Sequence, residues 1–165
     1  MTEHQVHPFP PLYDAESRIL ILGSFPSVKS RQAAFFYGHP QNRFWKVMAG
    51  LLDCPVPADI PEKAAMLHAH HIALWDTVAS CDIEGSSDAS IRQVQPNDLR
   101  PILQAAPIRA IFCNGAASYD LYCRYIRPVT GIPAVKLPST SPANAASSLE
   151  KLMQAWRVIL EPLKD

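Results

Sequence analysis

Four short runs along the chain are apolar without alternation: Arg18 to Leu22, His71 to Trp75, Arg109 to Cys113, and Ala134 to Leu137. Each has the length of a strand. Continuous apolarity marks parallel strands covered on both faces, whereas alternation would mark a sheet with one wet face. Between the runs the pattern turns helical. Arg43 to Leu52 places Phe44, Val47, Met48 and Leu51 on one stripe. Pro61 to His70 opens with Pro-Glu, a favourable first turn. Asn97 to Ala106 groups Leu99, Ile102 and Leu103, and Ala116 to Ile126 forms a further helix. A last helix is expected from about Pro142 to Leu163, capped by Ser141, with Leu149, Leu152, Met153, Trp156, Ile159 and Leu160 on its buried face. Strands alternating with helices predict an α/β fold, a three-layer α/β/α arrangement around a central four-stranded parallel sheet with right-handed crossovers. Residues 1–17 read as an extended, proline-rich N-terminal segment.

The 165 residues suit a single domain, 1–165, at roughly 100–200 residues per domain. With 48% hydrophobic and 18% charged residues the chain is not disordered. Sixteen prolines, about twice the ordinary ~5%, imply many stiff turns. Fifteen basic and fifteen acidic residues cancel, which argues against gripping a polyanion over the whole surface yet permits a local basic patch. The four cysteines include no CxxC pair, so zinc ribbons and dithiol redox motifs are excluded at their usual spacings. No metal and no cofactor are expected. Met1 to Glu16 lacks a signal peptide's apolar stretch, and no run of 18 apolar residues exists, so no membrane partner is expected. A reduced, cytoplasmic protein is the expectation.

In open α/β sheets ligands sit beyond the carboxyl ends of the strands. The segments following the four runs are Gly23-Ser-Phe-Pro-Ser27, Asp76 to Cys81, Asn114-Gly115, and Pro138 to Asn144. All are rich in small, polar or proline residues, and they point to one site on one sheet edge. Phe35 to Trp45 adds aromatics, a histidine and an asparagine ahead of a helix. Aromatics beside amides suit a flat heterocycle, one ring stacking and an amide reading the edge. Read from spacing alone, Asn42 equally caps the helix opening at Arg43. His39 can be a hydrogen-bonded structural histidine, and Phe44 and Trp45 read as packing residues.

Gly23-Ser-Phe-Pro-Ser27, Tyr37-Gly-His-Pro-Gln-Asn-Arg-Phe-Trp45 and Leu137-Pro-Ser-Thr-Ser-Pro-Ala-Asn144, taken in order, resemble the uracil-DNA glycosylase superfamily, most closely its hypoxanthine-DNA (deoxyinosine) glycosylase branch. The middle segment is also similar to the mismatch-specific uracil/thymine glycosylases. The resemblance runs from about Arg18 to Asn144. It implies a DNA partner carrying deaminated bases and hydrolysis of the N-glycosidic bond of a flipped-out base, within base excision repair. In most relatives the first motif carries an Asp or Asn that activates water, and here Phe25 stands in that place. In the deoxyinosine branch the catalytic group is the asparagine before Arg-Phe-Trp, which carries over to Asn42.

The chemistry tolerates a weak catalyst. Cleavage passes through an oxocarbenium-like state, so water needs positioning more than deprotonation. A neutral amide can orient water and offer its carbonyl dipole. The departing base then needs hydrogen-bond donors, for which the backbone amides of Ser24 and Phe25 are candidates. Tyr37 resembles the aromatic that stacks on the extruded base. Asp76 stands where relatives place a base-reading residue. Ionised, it only accepts, so it would take the N1–H of hypoxanthine or the N3–H of uracil and reject adenine, whose N1 is an acceptor. Asp76 can also be read as a cap on the segment that follows it. Asn114 can offer either amide end, or simply serve the turn before Gly115. Ser139, Ser141 and Asn144 fall where relatives place minor-groove and phosphate contacts. Relatives usually have His-Pro-Ser there, and this chain has Leu137, Pro138 and Ser139. Ser27, Lys29 and Arg43 join these as DNA contacts, with Arg31 and Lys46 nearby. About four phosphate neutralisations would give a salt slope near −3.6 at ~0.9 per contact.

No lysine occupies an obvious nucleophile position, so a monofunctional enzyme, acting as a monomer, is expected rather than a Schiff-base lyase. Two other classes stay open on the sequence. A serine hydrolase could use Ser24 or Ser27 with His39 and Asp76, although the Gly-x-Ser-x-Gly elbow is missing. A non-catalytic nucleic-acid binder is motivated by Phe25 in the polar position.

Overall fold

A computed structural model describes residues 2–165. Four parallel strands form its centre: β2 (Ile19–Gly23), β3 (Ile72–Asp76), β6 (Ala110–Asn114) and β7 (Val135–Leu137), in the order β3-β2-β6-β7. These are the four apolar runs, displaced by about one residue. β2 pairs with β3 from Ile19–Ile72 to Gly23–Asp76 and with β6 from Ile19–Ala110 to Leu22–Cys113. Its five residues are all buried.

The pleat divides them between two cores. Ile19, Ile21, Ile72, Leu74 and Phe112 face one layer, where they pack with α2 (Phe44–Leu52), α3 (Ile60–Ala69) and α7 (Leu149–Trp156) through Phe44, Met48, Leu67, Leu152 and Trp156. Leu20, Leu22, Ala73, Ile111 and Cys113 face the other, packing with α4 (Arg100–Ala105) and α5 (Ala116–Leu121) and its continuation through Leu99, Ile102, Tyr122 and Ile126. Each fully buried side chain of this size contributes roughly 1.5–3 kcal/mol of transfer free energy. The three-layer α/β/α arrangement expected from the apolar runs is the one observed.

A second sheet lies outside the four apolar runs. β1 (Glu3–Val6), β4 (Val78–Ile83) and β5 (Arg92–Pro96) form an antiparallel sheet in the order β1-β4-β5. The N-terminal segment is therefore partly a paired strand, with Glu3 opposite Ile83 and Val6 opposite Ser80, and Leu12 bridges to Leu74. The stretch after Asp76 turns at Thr77 straight into β4. Phe25, Val78, Cys81, Ile83 and Ile91 give this sheet a small core of its own.

Helix boundaries shift for local reasons. A short α1 (Val28–Ala33), absent from the sequence reading, is capped by Ser27, whose Oγ accepts from Ser30 N at 3.1 Å. The helix after Leu121 widens to a π turn over Tyr122–Ile126 and closes as α6 (Arg127–Thr130). The last helix begins at Leu149, capped by Ser148, whose side chain accepts from Lys151 N; it runs on through a 3-10 turn into α8 (Leu160–Leu163). The expected start at Pro142 with Ser141 as cap is thus corrected. The carbonyls of Ser141, Asn144 and Ser147 accept from the Arg43 guanidinium, and the first two also close turns with Asn144 N and Ser147 N rather than a helix.

Candidate active site

The chain crosses from β3 past β2 to β6, so strand order reverses between β2 and β6, and the carboxyl ends of these strands frame a pocket of about 110 Å³, room for several water molecules. It is lined by Gly23 to Ser27 beyond β2, Tyr37 and Asn42 ahead of α2, Asp76 at the end of β3, Asn114 at the end of β6, and Ser139 to Ser141 beyond β7. The strand-end segments picked out from the sequence therefore meet in one place. The second sheet adds Ser86 and Asp88 from the turn between β4 and β5.

Thr140, fully buried, links the two asparagines. Its backbone N–H donates to Asn114 Oδ1 at 3.0 Å, which fixes the Asn114 amide with Nδ2 donating to Thr140 Oγ1 at 3.0 Å. The Thr140 hydroxyl then donates to Asn42 Oδ1 at 2.8 Å. Phe44 N donates to the same oxygen at 2.9 Å, and a backbone N–H cannot accept, so the Asn42 amide is oriented as well. Asn42 does serve the start of α2, but a second partner 98 residues away holds it too. Both lone pairs of its carbonyl are engaged. Nδ2, a donor, is the end of the amide that has no partner among the described residues. Thr140 carried no distinguishing signal among the small polar residues around it.

Asp76 is 4% exposed, and its Oδ2 accepts from His7 Nε2 at 2.7 Å rather than capping the segment that follows. His7 sits just past β1, its ring against Phe9 and Trp75 at 4.5 and 4.4 Å between centroids. The other carboxylate oxygen lies beside Gly23. A Cβ there would come within 2.4 Å of Asp76 Oδ1 and 3.2 Å of Tyr37 Oη, so glycine at the end of β2 is what lets these groups converge. Gly115, at φ +100°, makes the turn after β6 that brings Ser139 alongside.

Tyr37 adopts φ +51°, in the left-handed region that is uncommon for a bulky residue. Its ring stacks on Phe44 at 4.2 Å and its carbonyl accepts from Trp45 Nε1. Burial first, then the Asp76 charge, push the hydroxyl far above the tyrosine range against an opposing Asn114 contact, so it stays protonated. The hydroxyl lies close to Asn114, without a well-formed bond to it. Ser24 Oγ donates to Asp88 Oδ1 at 2.6 Å. Phe25 is buried, walling the pocket under the Arg31 guanidinium at 5.6 Å.

The remaining residues singled out from the sequence lie around the rim. Lys29 is exposed on α1. Arg43 is engaged by three loop carbonyls. Ser139 Oγ accepts from Ser141 N, Ser141 Oγ accepts from Ala143 N, and Asn144 Nδ2 donates to Ser139 O. A serine-hydrolase triad is not assembled: Ser24 is bonded to Asp88, Ser27 to Ser30, and His39 Nδ1 accepts from Gln41 N. Among the described residues no group of three His, Cys, Asp or Glu side chains could hold a metal, and no helix is long and apolar enough to cross a membrane.

The family model of the uracil DNA glycosylase superfamily matches residues 10–161. A hypoxanthine DNA glycosylase of Methanosarcina acetivorans is 31% identical over 152 residues, 92% of this chain and 95% of that protein. A hypoxanthine DNA glycosylase of Methanosarcina barkeri is 30% identical over 150 residues, 90% and 93% of the two chains. An NMR structure from M. acetivorans, solved as a candidate uracil DNA glycosylase, superposes with a TM-score of 0.76 at 30% identity over 93% of this chain and 97% of that one. With the match spanning nearly the whole chain, and with the same three motifs lining the pocket, this protein belongs to the uracil DNA glycosylase superfamily, enzymes that hydrolyse N-glycosidic bonds.

Proposed function

We infer that this chain is a monofunctional DNA glycosylase that draws a deaminated base, hypoxanthine above all, out of the helix and removes it hydrolytically. The observation that carries the reading is the oriented Asn42 amide at the pocket wall, held by Thr140 and by the start of α2. Its Nδ2–H donates to one lone pair of a water and leaves that water's other lone pair to attack C1′ as the glycosidic bond loosens. Asp76, its rotamer held by His7, accepts the N1–H of hypoxanthine. Tyr37 stacks on the base with the ring face not taken by Phe44, Asn114 reads its edge, and the Ser24 and Phe25 amides donate to it as charge develops. The rim residues Ser27, Lys29, Ser139, Ser141 and Asn144 meet the sugar-phosphate backbone, and Arg43 acts by holding the 139–147 loop against them. The two hypoxanthine DNA glycosylases at about 30% identity favour this substrate over uracil. Among the described residues no lysine lines the pocket, which favours simple hydrolysis over Schiff-base lyase chemistry. DNA as partner, action as a monomer and a cytoplasmic location complete the reading.

The test is incubation with duplex oligonucleotides carrying one deoxyinosine, deoxyuridine or deoxyxanthosine. Release of free hypoxanthine, leaving an alkali-labile abasic strand without spontaneous nicking, is the expected result. Asn42→Ala should lower the single-turnover rate by about 10²-fold or more. Binding of the inosine duplex without release would make the chain a non-catalytic binder, and full activity of Asn42→Ala would remove the assigned role.

A further inference from the structure

Besides Asp76, the pocket holds a second acidic side chain. Asp88 comes from the turn between β4 and β5, the part of the chain that the apolar runs did not reveal, and it lines the same pocket as Asn42. Among the described residues only Asp76 and Asp88 bring carboxylates to that pocket. Asp76 is held by His7 and lies against Gly23. Asn42 cannot receive a proton, because both lone pairs of its carbonyl are occupied and its free end donates. With Asp76 given to the base edge, Asp88 is the carboxylate left among the described lining residues to accept from a water held by Asn42.

We propose that Asp88 is the proton acceptor for the hydrolytic water, a carboxylate delivered by the second sheet to a site whose first motif has Phe25 in the place of a water-activating residue. The assignment rests on the glycosylase reading. In the step, the C1′–N9 bond breaks and its electron pair leaves with the base. The water oxygen bonds to C1′, and the proton it sheds passes to Asp88 and then to solvent. The base anion takes up a proton from solvent, so that deoxyinosine in DNA and one water give an abasic sugar and hypoxanthine.

The surroundings suit the role. Ser24 Oγ donates to Asp88 Oδ1 at 2.6 Å, which orients the carboxylate and leaves Oδ2 for the water. As a residue Asp88 is exposed on its turn, so the shed proton can reach solvent, while the carboxyl end turns in toward the pocket. Crowding of that end raises its pKa above the ordinary carboxylate range, the Ser24 bond opposes this, and the Asp76 charge adds to it. Cys81 on β4 lies within electrostatic reach of both Asp88 and Arg31 of α1, while Arg31 is bonded to the Pro26 and Gly85 carbonyls and Arg92 of β5 to the Ala89 and Ile91 carbonyls. A base with a raised pKa is a better match to neutral pH than an ordinary aspartate.

Single-turnover release of hypoxanthine from an inosine duplex, followed from pH 4.5 to 9, tests this. The unmodified enzyme should gain rate with pH as Asp88 ionises. Asp88→Asn should lower the plateau by about 10²-fold and abolish that limb, with duplex affinity changed less than twofold. Ser24→Ala, which removes a bond that favours the ionised form, should move the limb to higher pH. An Asp88→Asn rate and profile equal to those of the unmodified enzyme would overturn the assignment and leave the glycosylase reading standing. So would a rate loss matched by lost duplex affinity with the limb retained. No base release from any substrate by the unmodified chain would overturn both.

Discussion

His7 Nε2 lies 2.7 Å from Asp76 Oδ2, and the two side chains are only 4% and 5% exposed. They are 69 residues apart, one just beyond β1 of the antiparallel sheet and the other at the last position of β3 in the parallel sheet. The pair thus joins the two sheets at the pocket. An aspartate so buried without a donor would be costly, and a free rotamer would blur what it accepts.

Removing the histidine should expose both effects. His7→Ala should destabilise the fold by about 3 kcal/mol, as expected when one partner of a buried pair is deleted. Thermal unfolding followed by circular dichroism measures this. Base release should fall in parallel. His7→Gln, whose side-chain amide can still donate, should recover part of each. A melting midpoint and rate unmoved by His7→Ala would show that the pair contributes nothing.

Thr140 makes a sharper prediction because it touches no solvent. Thr140→Val keeps the shape and removes the hydroxyl that orients Asn42. It also leaves Asn114 Nδ2 without its acceptor, a loss of about 1–3 kcal/mol. The single-turnover rate should drop about tenfold, with duplex affinity little changed, and Thr140→Ser should behave almost as the unmodified enzyme. Equal rates for the valine and serine variants would separate Thr140 from the chemistry.

Salt dependence distinguishes the two basic rim residues. Lys29 is exposed, so Lys29→Ala should reduce the slope of log K against log salt by about 0.9, the value for one phosphate contact. Arg43 is engaged by the Ser141, Asn144 and Ser147 carbonyls. Arg43→Ala should therefore weaken binding by a similar factor at every salt concentration and leave the slope nearly unchanged. Fluorescence anisotropy titrations at several salt concentrations decide it, and a slope change for Arg43→Ala like that for Lys29→Ala would make Arg43 a phosphate contact.

The cysteines predict an alkaline limit to stability. Burial pushes the Cys81 and Cys113 thiols up to about 11 and about 12, from an unperturbed value of 9.0. Above pH 9 the unfolded chain ionises both while the fold keeps them protonated, so stability should decline as pH rises from 9 toward 11. Urea unfolding at pH 8 and pH 10.5 should show a lower midpoint at the higher pH. At pH 8 a thiol reagent should react readily with Cys54 and Cys123, which are partly exposed, and with all four only after unfolding.

Sequence alone determined the parallel sheet, because strands buried on both faces must be apolar at every position, and that leaves a readable mark in Ile19 to Leu22 and Ile72 to Trp75. It also placed the pocket at the strand ends, since small and polar residues gather where the chain leaves the sheet. Tertiary structure decided the antiparallel sheet. β1 is Glu-His-Gln-Val and β5 is Arg-Gln-Val-Gln-Pro, with no apolar face to announce a strand, and they form only because β4 lies between them. His7, Asp88 and Thr140 share that origin. Nothing in their local context separates them from other polar residues, and what gives each its importance is a partner 64 or more residues away or, for Thr140, as few as 26. Hydrophobic periodicity reports on burial along one element, whereas the direction of a hydrogen bond between distant loops exists only once the chain has closed on itself.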